Sequence, residues 1–145
     1  MLHMHLPSDA RIVDEIFSVT AMPDWVEEGW LLAMIATYGK TAEELKGFTW
    51  NKDNTINIAT RKKPVRPLHP QWVFIFQLKE KQPSKLKSRW SALAKRLVKA
   101  QQESVFKLSV EGLLLAHKVR KVYYTPLKQT SGCSGKKQQK MLATA

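Results

Sequence analysis

The stretch between Pro23 and Gly39 constrains the fold more than any other part of this chain. Trp25, Leu31, Leu32, Met34 and Ile35 make it strongly apolar. Pro23 and Asp24 stand where a helix opens, and Gly39 suits the left-handed residue that closes one. A helix this apolar needs a core around it. The chain has 145 residues, enough for one such core and too few for two.

The flanking segments predict further helices and one small hairpin. Ser8 is placed to cap a helix through Phe17, with Ile12, Val13, Ile16 and Phe17 on one side. Thr41 with Glu44 three residues on fits a capping box, so a short helix runs to about Gly47. The period then changes: Thr55 to Ala59 alternates apolar and polar residues, the mark of a strand, with Asp53-Asn54 as the turn before it. Val65 to Leu68 is expected as the returning strand, confined to an edge by Pro64 and Pro67. Pro70 starts another helix whose apolar face is Trp72, Val73, Phe74, Phe76 and Leu78. A helix over Ser84 to Gln102 carries Trp90, Leu93, Leu97 and Val98 at helical spacing. Ser109 caps a last helix bearing Val110, Leu113, Leu114 and His117 at i, i+3, i+4 and i+7. Val122-Tyr123-Tyr124 reads as a short β-prone or helical piece. The expected fold is mostly α with a small antiparallel β-hairpin: one domain over residues 1–128, then a flexible basic tail over 129–145 rich in Ser, Gly, Lys and Gln.

Charge divides the chain in two. Residues 1–60 hold four basic and nine acidic residues, a net of −5; residues 61–145 hold twenty basic and three acidic, a net of +17. A field of that size attracts polyanions and raises their on-rates, and nucleic acid is the commonest such partner. An anionic membrane surface ranks lower, although Lys85 to Gln102 is both basic and amphipathic. No apolar run approaches the roughly 20 residues that span a bilayer. The lone Cys133 excludes an internal disulfide framework, and Met1 to Ser8 lacks the pattern of a secretory signal. A reduced, cytoplasmic protein is expected.

Taken singly, the chemistry-bearing residues say little. His3 and His5 have no third ligand near them in sequence, so no metal site is expected. His69, between two prolines, reads as a turn residue. No Walker loop, dinucleotide fingerprint or paired-carboxylate spacing is present.

Their order says more. Ala36 to Trp50, with Gly39, Glu44, Leu45, Phe48 and Trp50 in register, resembles the first signature of the phage-integrase, or tyrosine-recombinase, family. The expected hairpin with Lys62, Lys63 and Arg66 follows, then Pro67-Leu68 before a helix start. More weakly, Leu108-Ser109 and Leu114-Leu115-Ala116-His117 resemble the family's second half, which sets Arg96 at its second catalytic arginine and Tyr123 or Tyr124 at its nucleophile. The resemblance implies a tyrosine-recombinase catalytic-domain-like fold. It also implies a tyrosine that cuts DNA through a 3′-phosphotyrosyl intermediate, with no metal or nucleotide cofactor. Arg96 and His117 would hold the scissile phosphate, and Lys62 would protonate the leaving oxygen. Lys40, Arg61, Lys63, Arg66, Lys118, Arg120 and Lys121 would grip double-stranded DNA, with self-association on it as a family trait.

Departures from the family pattern point to a degraded catalytic set. Thr41 occupies the register of the first catalytic arginine, with Lys40 beside it, and lysine lacks the planar fork. Leu93 and Leu97 stand where the second signature has histidines, and the gap from His117 to the tyrosines is short. The leading expectation is a truncated, diverged recombinase-like domain that binds DNA. The alternatives are an active strand-transfer enzyme and a non-catalytic nucleic-acid-binding regulator, RNA included.

Overall fold

The structure, a computed structural model, describes residues 6–134, with side chains described as far as Val122. It is mostly helical, with one two-stranded antiparallel sheet. Helix α1 spans Asp9–Thr20, a 3-10 turn Pro23–Trp25 leads into α2 at Val26–Tyr38, and α3 covers Ala42–Leu45. Strands β1 (Thr49–Trp50) and β2 (Ile56–Asn57) follow, then α4 (Pro70–Ile75), α5 (Leu86–Gln102) and α6 (Val110–Ser134).

The apolar segment becomes the centre. Every residue of α2 from Glu28 to Tyr38 is buried, and α1, α5 and α6 pack against it. Helix α1 supplies Ile12, Ile16 and Val19; α5 supplies Leu86, Trp90, Leu93, Leu97 and Ala100; α6 supplies Leu113 and Ala116. The caps stand where expected. Ser8 accepts the Arg11 N–H at 3.1 Å, Thr41 and Glu44 close both bonds of the capping box, and Ser109 accepts the Gly112 N–H at 2.9 Å. Gly39 ends α2 at φ 66°, its N–H donating to the Ile35 carbonyl. Two core indoles reach backbone acceptors far away in the chain: Trp30 on the Leu78 carbonyl at 2.8 Å, Trp90 on the Ala42 carbonyl at 2.9 Å.

Three expectations need correction. The strand at Ile56–Asn57 pairs backwards with Thr49–Trp50, not forwards with Val65 to Leu68. Val65 makes one bridge to Ile56, through two backbone bonds of 3.0 and 2.8 Å, and no ladder follows. Pro64 and Pro67 flank it and have no N–H to extend one. Phe74 is 68% exposed and Val98 54% exposed, although both were expected on buried faces. On α4 the core takes Trp72 and Val73, and the next two residues turn outward. On α5 the buried stripe runs through positions 86, 90, 93, 97 and 100, which leaves 98 on the far side. Helix α6 also continues past Tyr123, Tyr124 and Gln129 to Ser134; the rest of the expected tail, residues 135–145, lies outside the described residues. His3 and His5 lie outside them too.

Among the described residues, no helix is long and apolar enough to cross a membrane.

Because α2 is enclosed on all sides, truncation there leaves a cavity that cannot collapse. Leu31→Ala is expected to cost about 2–5 kcal/mol, read as a lower urea midpoint at unchanged slope.

Candidate nucleic-acid interface

The C-terminal end of α2 gathers titratable residues from three separate segments. His117 of α6 packs its ring on Gly39, with Nδ1 turned toward that residue; a Cβ at Gly39 would fall well inside van der Waals distance of the imidazole. The glycine is thus required twice, by its left-handed backbone and by the ring lying on it. Lys40 comes next in the chain and is only 8% exposed. Lys121, one turn beyond His117 on α6, lies on the same side of that helix. Arg61, in the loop after β2, also faces Lys40.

The electrostatics follow from this crowding. Burial, then the Arg61 charge, hold the Lys40 ammonium below the usual lysine range; Glu44 works the other way and Lys121 adds to the lowering. Glu44 is already engaged, its carboxylate accepting the Thr41 N–H at 3.1 Å. Burial, then the Lys121 and Lys40 charges, push the His117 imidazole down from an ordinary 6.5 to about 4, against the pull of the Thr37 carbonyl. His117 is 7% exposed, and its Nε2 has no hydrogen-bond partner among the described residues. A neutral, buried imidazole beside several cations is a place prepared for negative charge.

The other candidates divide. Lys62, Lys63 and Arg66 are exposed on the Arg61-to-Arg66 loop, and Lys118 and Lys121 are exposed on α6. Arg120 is committed inward: its guanidinium pairs with Asp9 at 3.1 Å and donates to the Pro7 carbonyl. Asp9 also meets His69 at 2.9 Å, so the residue read as a turn histidine belongs to a chain of polar contacts linking α1, the α4 entry and α6. Only a contact map would have revealed that link, because Asp9 and His69 are far apart in sequence.

Arg96 is placed elsewhere. Its Nε donates to the buried Glu28 carboxylate at 2.6 Å, its Nη2 donates to the Asp24 carbonyl at 3.1 Å, and its guanidinium lies 4.8 Å from the Trp25 ring centroid. Glu28 is in the first turn of α2 and Gly39 ends that helix. At about 1.5 Å per residue, Arg96's partner and His117's seat are roughly 16 Å apart along the axis. The structure therefore brings Lys40, Arg61, His117 and Lys121 together and leaves Arg96 outside. The side chains of Tyr123 and Tyr124 lie outside the described residues. The sequence matches no protein-family model, and no curated protein and no solved structure matches it either.

Two outcomes follow for this end of the molecule. Gly39→Ala adds a side chain in the left-handed region and against the His117 ring, and is expected to cost upwards of about 2 kcal/mol in urea unfolding. The pH dependence has a definite sign. Histidine in the unfolded chain takes up a proton near 6.5, whereas His117 in the fold resists it down to about 4. Its stabilising share is complete above 6.5 and is lost as the pH falls toward 4. Urea titrations at neutral pH and near pH 4 are expected to differ by about 2–3 kcal/mol from this residue, a share that His117→Gln lacks.

Proposed function

We propose that this protein binds duplex DNA through the sugar–phosphate backbone, and that it is a diverged tyrosine-recombinase-like domain without strand-transfer activity. The observation that carries the reading is the convergence of Lys40 and Lys121 around His117 at the end of α2, with Arg61 acting in turn on Lys40. Cations crowded there repel one another, and the buried Nε2 beside them has no partner among the described residues, an arrangement that a phosphate diester relieves. The exposed Lys62, Lys63, Arg66 and Lys118 extend the same charge on the neighbouring loop and helix.

Loss of strand transfer is supported by Arg96. Its guanidinium neutralises a buried carboxylate and cannot hold a scissile phosphate as well. The first arginine of the family signature is replaced by Thr41, whose side chain serves the helix cap. Two phosphate-holding groups are then missing from the set the family uses, each worth a few kcal/mol of transition-state stabilisation by analogy with an oxyanion-hole donor. In this reading Lys62 contacts phosphate and protonates no leaving group.

Fluorescence anisotropy with a generic duplex across a salt series tests the proposal. Binding should weaken linearly in log salt, with about 0.9 in slope per neutralised phosphate. The double variant Arg61→Ala with Lys121→Ala is expected to lower the slope by about 2. Arg96→Ala should leave the slope unchanged and instead destabilise the fold by about 1–3 kcal/mol, since it strands the buried Glu28. No binding at low salt, or a covalent adduct trapped on a nicked duplex, would overturn the reading.

A further inference from the structure

The surroundings of His117 disfavour a proton on its ring. Its Nδ1 faces Gly39 and the Thr37 carbonyl acts on the ring as an acceptor, while Nε2 is buried and has no partner among the described residues. A neutral imidazole has one N–H to give. If that proton faces the Thr37 carbonyl, Nε2 presents a lone pair, and a lone pair repels an oxyanion. If the proton sits on Nε2, the lone pair on Nδ1 faces the carbonyl instead. With an acceptor on each side, only the imidazolium satisfies both.

The groups around the ring set the empty state. From α6 itself comes Lys121, from the end of α2 comes Lys40, and from the segment before α4 comes His69, which is held by Asp9. Arg61 and Glu44 act one step further out, on Lys40. The nearby carboxylates are already committed, Glu44 to the Thr41 cap and Asp9 to His69 and Arg120, so the lysine charges make a proton on the ring unwelcome. Burial is the larger cause of that preference, because the ring meets almost no water.

We propose that capture of a DNA backbone phosphate between Lys40, Lys121 and His117 draws one proton from solvent onto His117, so that binding tightens as the medium becomes more acidic. The proton forms the Nε2–H bond that donates to a phosphate oxygen, and nothing leaves in exchange except displaced counterions. The inference rests on the DNA-binding reading above and adds a regulation to it. Linkage makes the effect reciprocal: the phosphate raises the affinity of His117 for its proton as much as the proton raises the affinity for phosphate.

Two measurements on the full chain test it. The first is duplex affinity at fixed salt between neutral pH and about pH 5. Wild type is expected to tighten by roughly three- to tenfold per pH unit over part of that range, and His117→Gln to show a markedly smaller slope. The second needs no variant: the His117 ring-proton resonance is followed by NMR against pH, with and without the duplex. Its midpoint is expected to move up on binding. If the duplex binds but the midpoint stays put, the proton coupling is overturned and the DNA reading stands. If the duplex does not bind at low salt at any pH, both fall.

Discussion

A helix with no polar face is stable only where other elements cover it on every side, and α2 is such a helix. From Glu28 to Tyr38 it meets no solvent worth counting, so α1, α5 and α6 are arranged around it like staves. Its two ends are then settled by different partners. At the N-terminal end, Glu27 and Glu28 lie where the helix dipole favours negative charge, and each is met by an arginine from α5. At the C-terminal end, the backbone turns left-handed at Gly39, and the space where a side chain would stand is taken by the His117 ring. The candidate interface is a by-product of that second solution: whatever closes the end of α2 also brings α6 and its lysines there.

Much of the helical framework was legible in the sequence because its signals are local. Ser8, Thr41 and Ser109 cap through atoms three residues away, and Pro70 and Gly39 act through their own backbone. The sheet was legible only in part. Ile56 announced itself by alternation, but Thr49–Trp50 is two residues long and has no pattern to show, so the partner was sought on the wrong side. Faces were misread at Phe74 and Val98, where hydrophobicity says nothing about which way a helix is rotated.

The candidate site was legible as a set of residues and illegible as an arrangement. Lys40, Arg61 and the His117–Lys121 pair stand far apart in the chain, and what unites them is the end of α2. Arg96 shows the opposite outcome. Its charge and its alignment suggested a phosphate ligand, yet Glu28 and the Trp25 ring hold it at the other end of the helix. A count of basic residues overstates the field on α5 for the same reason: Arg89 and Arg96 are both answered by α2 carboxylates. Positive charge is therefore better expressed around α6 and the Arg61-to-Arg66 loop than the raw total implies.

The contacts of α1 carry a consequence for how the chain is made. Helix α1 leaves the ribosome before α5 and α6, with its cap and apolar stripe complete. Yet the Lys107 N–H that donates to Glu15 at 2.6 Å comes 92 residues later than its acceptor, and Arg120, which grips the Pro7 carbonyl and Asp9, comes later still. During synthesis the first helix can rest on α2, but these polar ties cannot form until α5 has emerged and α6 has begun. Helix α1 is made before its polar partners and is locked only after them, and a nascent chain stalled before α6 exposes the Gly39 end of α2 with no ring to cover it.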